Sequence, residues 1–457
     1  VSHLAWFTPW PPDRSGVAGR SAELIPRLAA AGHAIDVFVD GTRRDPSLRR
    51  VPAAAPAPGD ARLIDAHDFV WRHARAPYDL VVYQVGNSEW HEFLWPYLFR
   101  WPGLAVLHDA RVHHARGRAL LMRGRTGDYR DEFAWCHPSV LPAAAELGVL
   151  GFNGPYYYQW PMIRTVVEAS RLIAAHSRGA VAEVASAHPE RTVEYIALGE
   201  GTPLAVDDRA RRHWRESLGW PSSAVVFGVF GGLTLEKRVP QIVRAFASAL
   251  VRNPDARLLL AGTLDPQVEL DELLRELDLG NVVIRMDPLD DAAFDRAIAA
   301  VDVSLNLRWP TTLETSGPWL RALAASRATV IMDLAHATHL PTLDPRTWRR
   351  HAPSTGADDE AVAVGIDVLD EDHSLRLAFA RLAVDGTLRE SLGRRGHAHW
   401  LAEHTVDRMV AEYERVIARA LATPVPARWL PPHLRPDPLA HAERLVAVFD
   451  VDLGLRR

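Results

Sequence analysis

Cysteine and lysine are almost missing from this chain: Cys136 and Lys237 stand alone among 457 residues. A single cysteine excludes a disulfide framework and a cysteine metal cluster within the chain, and it fits a reducing compartment. No apolar run reaches the roughly 20 residues that a membrane-spanning helix needs. The amino terminus reads as a short strand rather than a signal peptide, so cytoplasm is the expected location. A strong charge of one sign is lacking too. The net charge of −5 is spread over the whole length with no basic tract, which leaves no nucleic-acid footprint. What is present is an apolar fraction of 48% and a charged fraction of 24%, the balance of a globular protein. The chain is long enough for two domains with separate cores.

Basic side chains number 52, so arginine supplies almost all of the positive charge, as GC-rich codon usage would produce. A lysine that withstands such drift marks a place where a flexible point charge matters and a planar fork would not fit. The bland alternative is that one lysine must fall somewhere, so its position decides. Lys237 stands in FGGLTLEKRVPQIVRAF, after the all-apolar strand Val225–Val229. It precedes a helix whose apolar face is Ile242, Val243 and Phe246.

The stretch Leu305–Asp333, LNLRWPTTLETSGPWLRALAASRATVIMD, carries the second signal. A buried strand ends in a polar loop with Glu314 and Thr315, a helix follows over Pro318–Ala325, and a strand over Thr329–Met332. Ser316 or Gly317 suits the N-cap, and Pro318 sits where the first turn tolerates a missing N–H. Free N–H groups at such a helix start bind an anion such as a phosphate, and a neighbouring carboxylate accepts hydrogen bonds from sugar hydroxyls. A phosphate beside a sugar describes a nucleotide-sugar donor.

This loop–Glu–helix–strand order resembles the donor site of the retaining glycosyltransferases of family 4. The resemblance implies an α/β chain of two Rossmann-like domains facing each other across a cleft, the GT-B fold, with a C-terminal helix crossing back to the first domain. Glu314 matches the first glutamate of the family's Glu-x7-Glu motif, while Ala322 occupies the place of the second. Lys237 matches the lysine of a loop reading Arg-x4-Lys. Gly232 stands at the arginine position, and Arg238 is the neighbouring substitute. Donor binding is thereby expected at Gly16, Gly232, Lys237, Arg238, Glu314, Thr315, Ser316 and Gly317. The resemblance also implies retention of configuration and neither cofactor nor catalytic metal.

Along the chain, strand Leu4–Phe7, a Pro/Gly loop containing Gly16 and Gly19, helix Ala22–Ala30 and strand Ile35–Val39 predict an open parallel sheet. The glycine spacing is not that of a dinucleotide fingerprint. An Ala/Pro/Arg-rich linker over Arg43–Arg62 precedes strands Leu80–Tyr83 and Leu104–Leu107. His108 follows the latter, at a strand end where such sheets gather ligands. With Lys237 and Glu314 it completes the candidate catalytic set, the resemblance placing it near the transferred sugar. Asp109, His113 and Tyr157 are candidates for the acceptor side. The spacing of His108, His113 and His114 does not make a zinc site. Asp207–Leu218 reads as linker, and regular strand–helix alternation follows to Leu305. Asp344–Pro353 and Ser354–Asp359 read as loops, and helices are expected over Leu375–Val384, Thr387–Leu401 and Val406–Leu421. A Pro-rich tail ends in a helix over Leu439–Phe449. The two D-x-D triplets at Asp370–Asp372 and Asp450–Asp452 read as solvated acids.

The expected domains are 1–205 on the acceptor side, 206–405 on the donor side, a returning helix over 406–422 and the tail 423–457. The expected partners are a nucleotide-sugar donor and a glycan, lipid-linked or small-molecule acceptor, the lipid-linked case bringing the protein to the inner face of a membrane. The rival expectation is a non-catalytic GT-B-like subunit that binds nucleotide or glycan and regulates a partner.

Overall fold

A computed structural model of the chain describes residues 2–13, 15–41, 57, 59–152, 154–201, 208–350, 361–435, 439, 446 and 449. The chain divides into two compact units. One comprises Val1–Ala174, Ala187–Glu194 and Val416–Arg457, the other Ala175–Ser186 and Tyr195–Arg415.

The first sheet is built from β1 (His3–Phe7), β2 (Ala34–Val39), β3 (Ala61–Asp65), β4 (Leu80–Val85), β5 (Leu104–Leu107), β6 (Leu172–Ala175) and β7 (Val193–Tyr195). Its order is β3-β2-β1-β4-β5-β6-β7, and β1 pairs in parallel with both β2 and β4. Sequences such as LVVYQV in β4 are buried throughout, as expected of a parallel strand covered on both faces. Phe7 stacks between Phe38 and Tyr83, with ring centroids 5.0 and 5.2 Å away.

The second sheet contains β8 (Val226–Phe230), β9 (Arg257–Ala261), β10 (Val283–Met286), β11 (Val303–Asn306), β12 (Ala328–Asp333), β13 (Thr342–Leu343) and β14 (Ala363–Asp367). Its order is β10-β9-β8-β11-β12-β14-β13, and all six neighbouring pairs are parallel. Both sheets therefore reverse their winding beside the first strand, at β1/β4 and at β8/β11. In a doubly wound fold the strand ends at that point form the ligand crevice. The second core centres on Phe227, Phe246 and Phe379, all fully buried.

Several elements lie where loops or linkers were expected. The first helix starts at Gly16 rather than Ala22, because Ser15 caps it by accepting from the Val17 N–H at 3.2 Å. Strand β3 falls at the end of the supposed linker Arg43–Arg62, most of which (43–56 and 58) lies outside the described residues. β3 pairs with β2 over five residues, and the charge pair from Arg62 to buried Asp36, at 2.5 and 3.0 Å, fastens it there. The supposed linker Asp207–Leu218 contains the helix Asp208–Ser217. Its Arg211 and Arg215 converge on Asp302 at 2.5 and 2.6 Å, so a segment that reads as solvated charge is held by one acid. β13 and β14 flank the supposed loops, whose residues 351–359 lie outside the described residues, as do residue 360 and residues 202–207 of the interdomain turn. Asp370 and Asp372 each pair with an arginine, Arg346 and Arg376. Most of the expected tail helix, and all of Asp450–Asp452, lie outside the described residues.

The helix Val406–Ala422 is divided between the units: its residues to Arg415 belong to the second, those from Val416 to the first. Among the described residues no helix is long and apolar enough to cross a membrane.

Candidate functional site

Two glycines shape the corner that receives Lys237. β8 ends at Phe230, and Gly231 and Gly262 follow their strands with φ of +87° and +150°. A Cβ on Gly262 would lie 1.8 Å from the Gly231 carbonyl oxygen, so the two backbones approach as only glycine allows. Into this corner comes Lys237, whose Nζ donates to the Phe230 carbonyl at 2.5 Å. A Cβ on Gly231 would stand 2.8 Å from that ammonium. Burial pulls the ammonium down to about 7, and the nearby Arg308 guanidinium adds to the fall while Glu314 opposes it. The next residue, Arg238, adopts the left-handed conformation at φ 59° and opens the helix Val239–Arg252.

The loop after β11 sets the facing wall. Leu313 is left-handed at φ 64°, a conformation that costs a non-glycine residue about 1–2 kcal/mol. It turns Glu314 back on its own loop. There Oε2 accepts from the Thr312 N–H at 2.9 Å and from the Thr311 and Thr312 hydroxyls at 3.0 and 2.7 Å. Oε1 pairs with Arg308 Nε. Burial alone would raise the Glu314 carboxyl; Arg308 and these hydrogen bonds outweigh it and hold the carboxyl below the usual carboxylate range.

The helix Gly317–Ala324 follows. Ser316 is its N-cap, accepting from the Trp319 N–H at 3.4 Å, and Thr315 donates its hydroxyl to the His176 carbonyl at 2.8 Å. Lys237, Arg308, Glu314, Thr315 and Ser316 line one cavity of about 120 Å³. That is below the roughly 300–1,000 Å³ of small-molecule sites, enough for the polar head of a ligand. Two cations, a carboxylate and a helix start thus meet in one place, an arrangement suited to a phosphate with a hydroxyl-bearing neighbour.

The other expected residues are placed differently. Arg238 does not line this cavity; its guanidinium forks onto Glu371 at 2.7 and 2.5 Å. Gly232 does not line it either, and a Cβ there would meet nothing nearer than Thr234 at 3.7 Å. The glycine that meets the lysine is Gly231. Ala322 is fully buried in an apolar cluster with Phe230 and Ile298. Arg308 was not among the sequence candidates, since nothing in LNLRWP distinguishes it from other loop arginines.

In the first unit, His108 stands at the carboxyl end of β5 with Nε2 2.7 Å from Gln84 Oε1. Asp109 accepts from the Asn87 N–H at 2.7 Å. Gly16 begins its helix exposed, with room for a Cβ. His113, expected in solvent or toward an acceptor, is instead fully buried, its Nε2 2.8 Å from the Tyr129 hydroxyl. Burial pulls that imidazole down to about 3. The aromatic cluster around it decides this, with Tyr156 buried and half-buried Tyr157 stacked on His114 at 4.5 Å.

Neither a protein-family model nor a curated protein sequence matches the chain. Solved structures do. Sucrose-phosphate synthase from Thermosynechococcus elongatus superposes with a TM-score of 0.64 at 15% identity, over 93% of this chain and all of that one. Anabaena HepE in complex with UDP-glucose gives 0.60 at 15% identity, over 92% of this chain and all of its own. WaaG, a glycosyltransferase involved in lipopolysaccharide biosynthesis, gives 0.58 at 15%, over 91% and 99%. The chain has their fold. At such identities the likeness is one of architecture, two Rossmann-like domains with a long C-terminal helix, and the chemistry must be argued from the side chains.

Proposed function

We propose that the protein is a glycosyltransferase that moves a sugar from a nucleoside-diphosphate sugar to a glycan, lipid-linked or small-molecule acceptor, with retention of configuration. The observation that carries this reading is the meeting of the Lys237 ammonium and the Glu314 carboxylate on one cavity at the capped start of the helix Gly317–Ala324. Breaking the bond between the anomeric carbon and the diphosphate leaves negative charge on the departing oxygen. Cations and N–H groups fixed in advance are the largest aid to such a step. Lys237, Arg308 and the N–H groups after Ser316 take this role. Glu314 orients the sugar through its hydroxyls, and His108, at the end of β5, is the remaining candidate for a catalytic role. The fold shared with HepE, solved with UDP-glucose, supports that class of donor, and the fold shared with WaaG, a glycosyltransferase, supports the class of reaction.

A donor screen by thermal shift tests the proposal. One nucleoside-diphosphate sugar should stabilise the protein, and Glu314→Ala should lose the sugar-dependent part of that shift while the free nucleoside diphosphate still binds. Equal loss of both ligands would remove Glu314 from the sugar site. The apolar setting of Ala322, where no side chain offers a carboxylate to a ribose, favours the rival reading of a binding subunit. Stabilisation by a donor with neither hydrolysis nor transfer in any acceptor panel would select that rival.

A further inference from the structure

The first unit holds a second cavity, of about 370 Å³, within the range of small-molecule sites. Its floor is aromatic, with Trp95 and Phe99 3% and 5% exposed. The guanidinium of Arg116 lies over both rings, at 5.2 and 4.9 Å from their centroids. Arg116 also forks onto the fully buried Glu132 at 2.7 and 2.6 Å. His433, reaching in from the C-terminal segment, sets Nε2 3.1 Å from the same carboxylate, and its side chain is 7% exposed. Burial would raise Glu132, but Arg116 and His433 more than offset it and hold the carboxyl at about 2. The buried acid is thus spoken for.

Two features remain unanswered. Among the described residues Nδ1 of His433 is buried without a hydrogen-bond partner, an unfavourable state unless something fills it. The rim carries Arg100, Arg123, Arg125 and Arg435, all exposed and drawn from three stretches of chain. Glu92 and Asp128 answer Arg123 and Arg125. Among the described residues no acid pairs with Arg100 or Arg435. Planar forks in excess over acids, above an aromatic floor, select an anion with a flat apolar part: the guanidinium geometry matches phosphoryl oxygens, and the rings take the rest.

We propose that this pocket binds a phosphorylated small molecule bearing an aromatic or similarly flat apolar group, its phosphoryl on Arg100 and Arg435 and its apolar part against what Arg116 leaves open of Trp95 and Phe99. None of these residues lines the Lys237 cavity, so the site stands whether or not the transferase reading does.

Calorimetric titration with phenyl phosphate tests it, using the full chain, Lys237→Ala and the double variant Arg100→Gln/Arg435→Gln. The expected result is equal affinity for the full chain and Lys237→Ala, at least about tenfold weaker binding by the double variant, and weaker binding of inorganic phosphate than of phenyl phosphate throughout. Both exchanged arginines are exposed, and an unchanged melting temperature verifies that the double variant is folded. Should it fail that check, Phe99→Leu, which keeps the arginines and removes the ring, is expected to bring phenyl phosphate down to the affinity of inorganic phosphate. No binding to the full chain, loss in Lys237→Ala, or undiminished binding by the folded double variant overturns the proposal.

Discussion

The two units wind their sheets alike as far as the fifth strand, yet they treat the first turn in different ways. After β1 the chain enters its helix through Ser15 and an exposed Gly16 that leaves room around it. After β8 it enters through Gly231, the wedged Lys237 and a left-handed Arg238. The same topological position is ordinary helix capping in one unit and a strained, cation-bearing corner in the other. Winding order provides a crevice; which crevice carries charge is decided by a few side chains. Among the described residues seven non-glycine positions are left-handed, and two of them, Arg238 beside the second unit's cavity and Leu313 within its loop, hold strain where geometry serves a ligand.

The contrast breaks most sharply at Lys237. Lys237→Ala is expected to lower transfer by about 10²–10³-fold, the loss typical of one preorganised group at a developing charge, while the melting temperature changes little. Undiminished turnover would reduce the second unit's corner to the rank of the first. Arg308→Ala comes next. It removes a cation from the cavity and leaves Glu314 half-answered, so donor affinity should fall about tenfold or more and stability by about 2 kcal/mol. Restoring stability without donor affinity, by Arg308→Ala with Glu314→Gln, would separate the two effects.

The pH dependence follows from Lys237. Its folded-state value near 7 lies below the ordinary 10.5, so the unfolded chain holds more protons there and this group's contribution to stability rises with pH from about 7 to 10. Donor binding runs the other way. A diphosphate prefers the ammonium, so affinity should drop by up to about tenfold per unit as pH climbs above 7, and proton uptake should register in calorimetry across buffers of different ionisation enthalpy. A flat profile, or the same slope in Lys237→Arg, would contradict it. Ser316→Ala should cost about 1 kcal/mol of stability through the lost cap, measured by denaturant titration. The smallest effect is expected at Gly16→Ala, within about 0.5 kcal/mol. A large loss of activity there, with the fold intact, would show that the first unit's turn also meets the donor.

Much of the architecture was legible because parallel strands buried on both faces announce themselves: Leu104–Leu107, Leu172–Ala175 and Arg257–Ala261 form where the apolar runs place them. The misses share a cause. β3 and the helix Asp208–Ser217 are secured by arginine ion pairs to Asp36 in β2 and to Asp302 just before β11, and a partner far away in sequence leaves no periodicity to read. The N-cap was readable from local chemistry to within Ser316 or Gly317, and it is Ser316. Arg308 was not, since its significance lies in the fold of the loop back onto Glu314. Arg238 shows the reverse error: adjacency to Lys237 suggested a shared duty, but a helix start turns consecutive side chains apart, and Glu371 takes the guanidinium.

The first unit includes Val416–Arg457, and residues near the carboxyl end satisfy groups laid down far earlier. Arg171 donates to the carbonyls of Leu421 and Thr423, Arg428 reaches the Phe99 carbonyl at 3.0 Å, and His433 meets Glu132. On the ribosome, the half that emerges first is therefore the half completed last, and it waits with a buried acid and open carbonyls until the whole of the other half has been translated.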